Sequence, residues 1–70
     1  MKTIASPVSG VLLEYLVAAG DAVAEGQEVA MLESMKMEIP VVAETSGTVA
    51  RLCFEKGETV AEGAALIELS

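Results

Sequence analysis

The chain is written twice. Ser9-Gly10 recurs as Ser46-Gly47, Gly20 as Gly57, and Val23-Ala24-Glu25-Gly26 as Val60-Ala61-Glu62-Gly63. The offset is 37 residues in each case, with no gap needed. Apolar positions repeat at the same spacing: Leu12 with Val49, Tyr15 with Leu52, Val17 with Phe54, Val29 with Leu66 and Leu32 with Leu69. Copies related in this way should fold alike. Neither can bury an apolar face alone, so the two halves are expected to pack face to face. Residues 1–70 are expected to form one domain.

Periodicity alone does not choose between helix and strand for Val11–Ala19. Its repeat mate, Thr48-Val49-Ala50-Arg51-Leu52-Cys53-Phe54, holds more residues that suit a strand. Gly10 and Gly20 in one copy, and Gly47 and Gly57 in the other, bound both segments at strand length, so strand is the expectation for each. Ile39-Pro40-Val41-Val42 also favours extended chain, because proline is excluded from a helix interior and suits an edge strand. Strands are expected over 2–6, 10–17, 28–34, 37–42, 47–54 and 65–69. Very short ones are expected at Ala22-Val23 and Thr59-Val60, after the Gly20-Asp21 and Gly57-Glu58 turns. The predicted fold class is all-β, a flattened barrel or sandwich of two quasi-symmetric four-stranded halves. Glu25-Gly26 and Glu62-Gly63 are read as plain exposed turns.

A chain of 70 residues buries only about 60% of the surface its unfolded form exposes, which leaves little depth for a walled catalytic cleft. Eleven acids against four Lys and Arg give a net charge of −7. That charge repels phosphate backbones and anionic membrane faces, so neither nucleic acid nor membrane is expected as a partner. With no histidine, the commonest general base and metal ligand is missing. Cys53 is the single cysteine, which excludes an internal disulfide and a multi-cysteine metal site. Beside Phe54 it reads as a small packing residue. No apolar run spans a bilayer and the N-terminus lacks an apolar signal core. A soluble, cytoplasmic domain that is a monomer in isolation is expected, and the Met1 start without a linker favours a free-standing chain.

One place stands out by symmetry. The two copies meet at Glu33-Ser34-Met35-Lys36-Met37-Glu38, whereas the equivalent place in the repeat holds the chain termini. If 28–34 and 37–42 pair, this junction is a tight hairpin with Lys36 at its tip. Hairpin tips are normally built from Gly, Asn, Asp or Pro. Two methionines there either fold back on the barrel end or offer an adaptable contact surface to a partner, and the spacing supports both.

These residues resemble the attachment site of the biotin carboxyl carrier and lipoyl domain family. The family's biotin motif is Ala-Met-Lys-Met, five residues and Ala. Met35-Lys36-Met37 match it, and Ala43 falls at the expected spacing. Pro7, Gly10, Gly20-Asp21, Val23, Gly26, Gly47 and Val49 also fit, so the resemblance covers essentially the whole chain. It departs at Ser34, where Ala is usual, and at Val8-Ser9, where Met-Pro is common.

The resemblance implies that Lys36 is the covalent attachment point for biotin, with Glu33, Ser34, Met35, Met37 and Glu38 as recognition residues and no catalytic or metal-ligating residue. It implies a biotin protein ligase that activates biotin as an adenylate for attack by the Lys36 amine. Lysine amines are mostly protonated at neutral pH, and the chain has no histidine to help, so the ligase must supply deprotonation and orientation. It further implies a non-enzymatic carrier that takes a carboxyl group from a biotin carboxylase to a carboxyltransferase, as in an acyl-CoA carboxylase. The alternative is a lipoyl carrier of an oxidative decarboxylase complex, or a protein bearing either biotin or lipoate. Lipoyl domains usually show Asp-Lys-Ala at Met35-Lys36-Met37, which favours biotin.

Overall fold

The computed structural model describes residues 2–70. Eight strands follow one another: β1 (Lys2–Ala5), β2 (Gly10–Tyr15), β3 (Ala22–Val23), β4 (Glu28–Ser34), β5 (Met37–Val42), β6 (Gly47–Leu52), β7 (Thr59–Val60) and β8 (Ala65–Leu69). The second four repeat the first four in order. β2 and β6 begin and end at equivalent residues, as do β3 and β7. The expected elements are all present. However, β2 and β6 stop at Tyr15 and Leu52 instead of Val17 and Phe54, and β1 stops at Ala5. After Tyr15 and Leu52 the backbone leaves the ladder to enter tight turns.

The sheets are ordered β1-β8-β6-β3 and β5-β4-β2-β7, with antiparallel pairing throughout. Each sheet takes two strands from each half. The packed faces are therefore sheets shared between the halves, and the halves themselves are interleaved, not stacked as separate layers. Backbone hydrogen bonds clasp them together in reciprocal pairs. Gly20 N–H donates to Val49 O (2.8 Å) and Gly57 N–H to Leu12 O (2.7 Å). Gly26 N–H donates to Ala43 O and Gly63 N–H to Ser6 O, both at 2.8 Å. Each turn glycine thus bonds to the opposite copy.

Those glycines have φ between 86° and 94°. Each is the third residue of a turn closed by an i+3 to i bond, as in Asp21 N–H to Ala18 O and Gln27 N–H to Ala24 O. Positive φ at that place defines a type II turn, for which glycine carries no steric penalty. Asp21 and Glu58 carboxylates accept from Ala18 and Glu55 N–H (2.8 and 2.6 Å), tightening two of them.

The core obeys the repeat residue by residue. The buried set pairs as Ile4–Val41, Leu12–Val49, Val23–Val60, Val29–Leu66, Ala30–Ile67 and Leu32–Leu69, with buried Ser6 matching Ala43. The Ser6 hydroxyl donates to Val8 O at 2.5 Å, so its burial leaves no orphaned group. Val29-Ala30 and Leu66-Ile67 are adjacent in sequence yet all buried. The cause is a register shift in each strand pair at that point, between Glu28 and Ala30 and between Ile4 and Ala5. A bulge turns two successive side chains toward one face.

Tyr15 breaks the symmetry, since its mate is Leu52. Its hydroxyl donates to Leu66 O (3.0 Å) and accepts from Phe54 N–H (3.2 Å), tying β2 to the end of the β6–β8 pair where Cys53 N–H donates to Leu66 O. Burial raises the phenol's pKa above 10.0, with the Phe54 hydrogen bond acting against it. A raised pKa means that the stability from this hydroxyl is fully present below pH about 10 and is lost as pH climbs through the folded value. Tyr15→Phe should cost about 1 kcal/mol near neutrality. In urea unfolding series, the gap between wild type and variant should shrink above pH about 10; a gap independent of pH would contradict this role.

Candidate functional site

β4 and β5 form the longest hairpin, registered from Glu28↔Val42 to Ser34↔Met37. Only Met35 and Lys36 lie outside the ladder, so the loop has two residues. Their φ values are 53° and 66°. Positive φ at both central residues is the type I′ geometry, whose twist matches that of the strands it joins. The usual occupants are Asn-Gly. A side chain in this region costs about 1–2 kcal/mol per residue through crowding of Cβ against the backbone. Among the described residues, no other non-glycine has positive φ. The strain is confined to the attachment candidate and its neighbour.

Lys36 is exposed, and among the described residues no hydrogen bond or ion pair holds its ammonium. Lys2 lies in β1 with its Nζ donating to Ser46 O. Lys56 sits at the second position of the type II turn closed by Glu58 N–H and Glu55 O. Lys36 alone of the three occupies a two-residue hairpin tip. Met35 is 88% and Met37 58% exposed, so neither folds back into the core. Glu33 and Glu38 are exposed and directly opposite one another. Like charges so placed repel, and they leave a negative collar below the lysine.

Ser34 behaves differently from its neighbours. It is half-buried and faces Gly10, where an added Cβ would lie 3.3 Å from Ser34 Cβ and would overlap the Glu33 carbonyl oxygen. A small residue at 34 and none at 10 let the start of β2 pass close beside the base of the hairpin. Gly10 was legible in the sequence as a repeat landmark, a strand boundary and a motif match, but its part in seating the hairpin depends on a contact between distant residues. Ala43 is buried, its N–H donating to Gln27 O and its carbonyl accepting from Gly26, both at 2.8 Å. Its place in the motif is thus structural.

An open concavity of about 470 Å³ lies along β1 and β5, lined by Ala5, Ser6, Pro7, Pro40, Val41, Val42 and Glu44. Its one hydroxyl, Ser6, is already engaged by Val8 O. Among the described residues no group of three or more His, Cys, Asp or Glu comes together to hold a metal, and no helix is long and apolar enough to cross a membrane. Cys53 is a half-buried free thiol.

A family model described as "Biotin-requiring enzyme" matches residues 2–69. The chain belongs to the biotin/lipoyl attachment family. This attachment domain is 50% identical over 68 residues to the biotin/lipoyl attachment protein of Bacillus subtilis, covering 97% of this chain and 93% of that protein. It is 41% identical to the biotin carboxyl carrier protein of Streptococcus mutans, covering 99% of this chain and 53% of the relative. It is 46% identical to the mitochondrial propionyl-CoA carboxylase alpha chain of Homo sapiens, covering 97% of this chain but only 9% of that one. Kluyveromyces lactis urea carboxylase contains a matching fold, with a TM-score of 0.90 at 29% identity, covering 99% of this chain and 6% of that one. The family's domains are non-catalytic carriers.

The tip strain has a measurable consequence. Replacing Met35 by Asn and Lys36 by Gly should stabilise the fold by about 1 kcal/mol, the relief of strain being partly offset by the greater unfolded-state freedom of glycine. Equilibrium urea unfolding of the double variant measures it. A loss of stability would show that the native side chains support the turn.

Proposed function

We propose that this chain is a biotin carboxyl carrier, with biotin joined by an amide to the Lys36 amine, serving a biotin carboxylase and a carboxyltransferase. One observation carries the reading: in a member of this family, Lys36 stands exposed and unengaged on a strained two-residue tip. Biotin, when attached, supplies the chemistry of accepting a carboxyl group at one active site and giving it up at another.

The chain's own residues tether and present. The paired strands β4 and β5 hold the Lys36 backbone in one direction, while its side chain, which has no partner among the described residues, serves as the movable arm. Tethering replaces free diffusion with an intramolecular visit. Met35 and Met37 offer apolar, adaptable contact on either side of the lysine. Glu33 and Glu38 favour partners with basic rims, in keeping with the net charge of −7. Ser34 keeps the hairpin base close to Gly10. A biotin protein ligase takes the ammonium proton, since no histidine is present to do so. The carboxyl acceptor is an acyl-CoA, a choice supported by the propionyl-CoA carboxylase likeness. The free Cys53 thiol suits the reducing cytosol. A second reading, that Lys36 also takes lipoate, is supported by the name and the 50% identity of the Bacillus subtilis relative.

Intact mass after co-expression with a biotin protein ligase should show one biotinyl group, and parallel co-expression with a lipoate ligase tests the second reading. Lys36→Arg keeps the charge without a usable nucleophile and should gain nothing; a biotinylated Lys36→Arg chain would place the site elsewhere. Exchanging neighbours, Met35→Lys with Lys36→Met, keeps composition and charge but redirects the amine. Since a misplacement of about 1 Å can cost roughly a hundredfold in rate, labelling should slow strongly while the fold persists. Near wild-type labelling would mean that exposure alone suffices.

A further inference from the structure

We propose that Met35 and Met37 form a peroxide-sensitive modification site whose oxidation slows loading of Lys36, an inference that rests on the attachment role of that lysine. Their thioethers are the prominently exposed sulfur groups among the described residues, on side chains 88% and 58% accessible. Met31 and Cys53 are half-buried. The two methionines bracket Lys36 on both sides, Met35 inside the turn and Met37 at the first rung of β5. A protein that closes around the lysine amine must also close around them.

The chemistry is a two-electron oxidation. The thioether sulfur takes one oxygen atom from a hydroperoxide and is oxidised to the sulfoxide, while hydrogen peroxide is reduced to water. The product replaces an apolar, flexible surface with a polar, chiral one and is reversible by methionine sulfoxide reductases. Because neither side chain belongs to the core, the fold is retained and the change falls on recognition. Each added oxygen must lose its water when a partner covers the tip. A polar atom desolvated without a new partner weakens association, and the expected slowing is about tenfold.

The test treats the whole chain with graded hydrogen peroxide, maps sulfoxides by peptide mass spectrometry, and then measures biotinylation by a biotin protein ligase added after the peroxide is removed. Met35 and Met37 should oxidise before Met31, and labelling should slow by about tenfold and recover after methionine sulfoxide reductase treatment. Met35→Leu with Met37→Leu, which retains Met31 and Cys53, should label at a rate of its own that peroxide no longer changes. Oxidation of Met31 first, unchanged labelling of the oxidised chain, or a peroxide-sensitive double-Leu variant would each overturn the proposal. Failure of the untreated chain to label at Lys36 would instead overturn the attachment role beneath it.

Discussion

Everything in this small barrel depends on two half-cores that are insoluble problems apart and one solution together. Each copy supplies a strip of Val, Leu, Ile and Ala, and each strip is covered by its mate from the other copy. With 70 residues there is no spare layer of structure to cover either strip. Interleaving the strands meets the constraint more completely than stacking two separate halves. It puts main-chain bonds, such as Gly20 to Val49 and Gly57 to Leu12, across the same boundary that the side chains close. Neither copy can come away without breaking both a sheet and the core.

That rigidity is what allows the hairpin tip to be locally unfavourable. Two side chains in the left-handed region and two glutamates facing one another across β4 and β5 are concentrated within six residues, Glu33–Glu38. Each is a feature that unconstrained chains avoid. They persist because the long ladder beneath them, anchored by Leu32, Ile39 and Val41 and seated against Gly10, fixes the register. The connection then runs down β5, through residues 43–46, to Gly47 beside Ser70. The symmetry mate of the tip thus lies at the far end, where the chain termini stand. Lys36 stands on the turn that joins the two copies.

The candidate site was more legible than its support. The junction Glu33–Glu38, between strands expected over 28–34 and 37–42, announces a tip. The structure adds the turn type and the exposure that sets the methionines apart from the core. The roles of Gly10 and Ser34 could not be read, because their close approach joins residues 24 positions apart through register alone. Tyr15 was visible as a repeating apolar position matched with Leu52, but its bridge to Leu66 and Phe54 exists only once β2 and β8 lie across the core from one another.

By itself the sequence determined the two-fold repetition, the strand starts at Gly10 and Gly47, and the place of Lys36 between the copies. These follow from local chemistry and from residue spacing, which are properties of short segments. Tertiary structure decided that the halves interleave, that bulges bring Val29-Ala30 and Leu66-Ile67 inward together, and that Met35 and Lys36 adopt positive φ. Those outcomes depend on which strand meets which and in what register. Register is set by the whole buried surface closing at once, and no single segment carries that information.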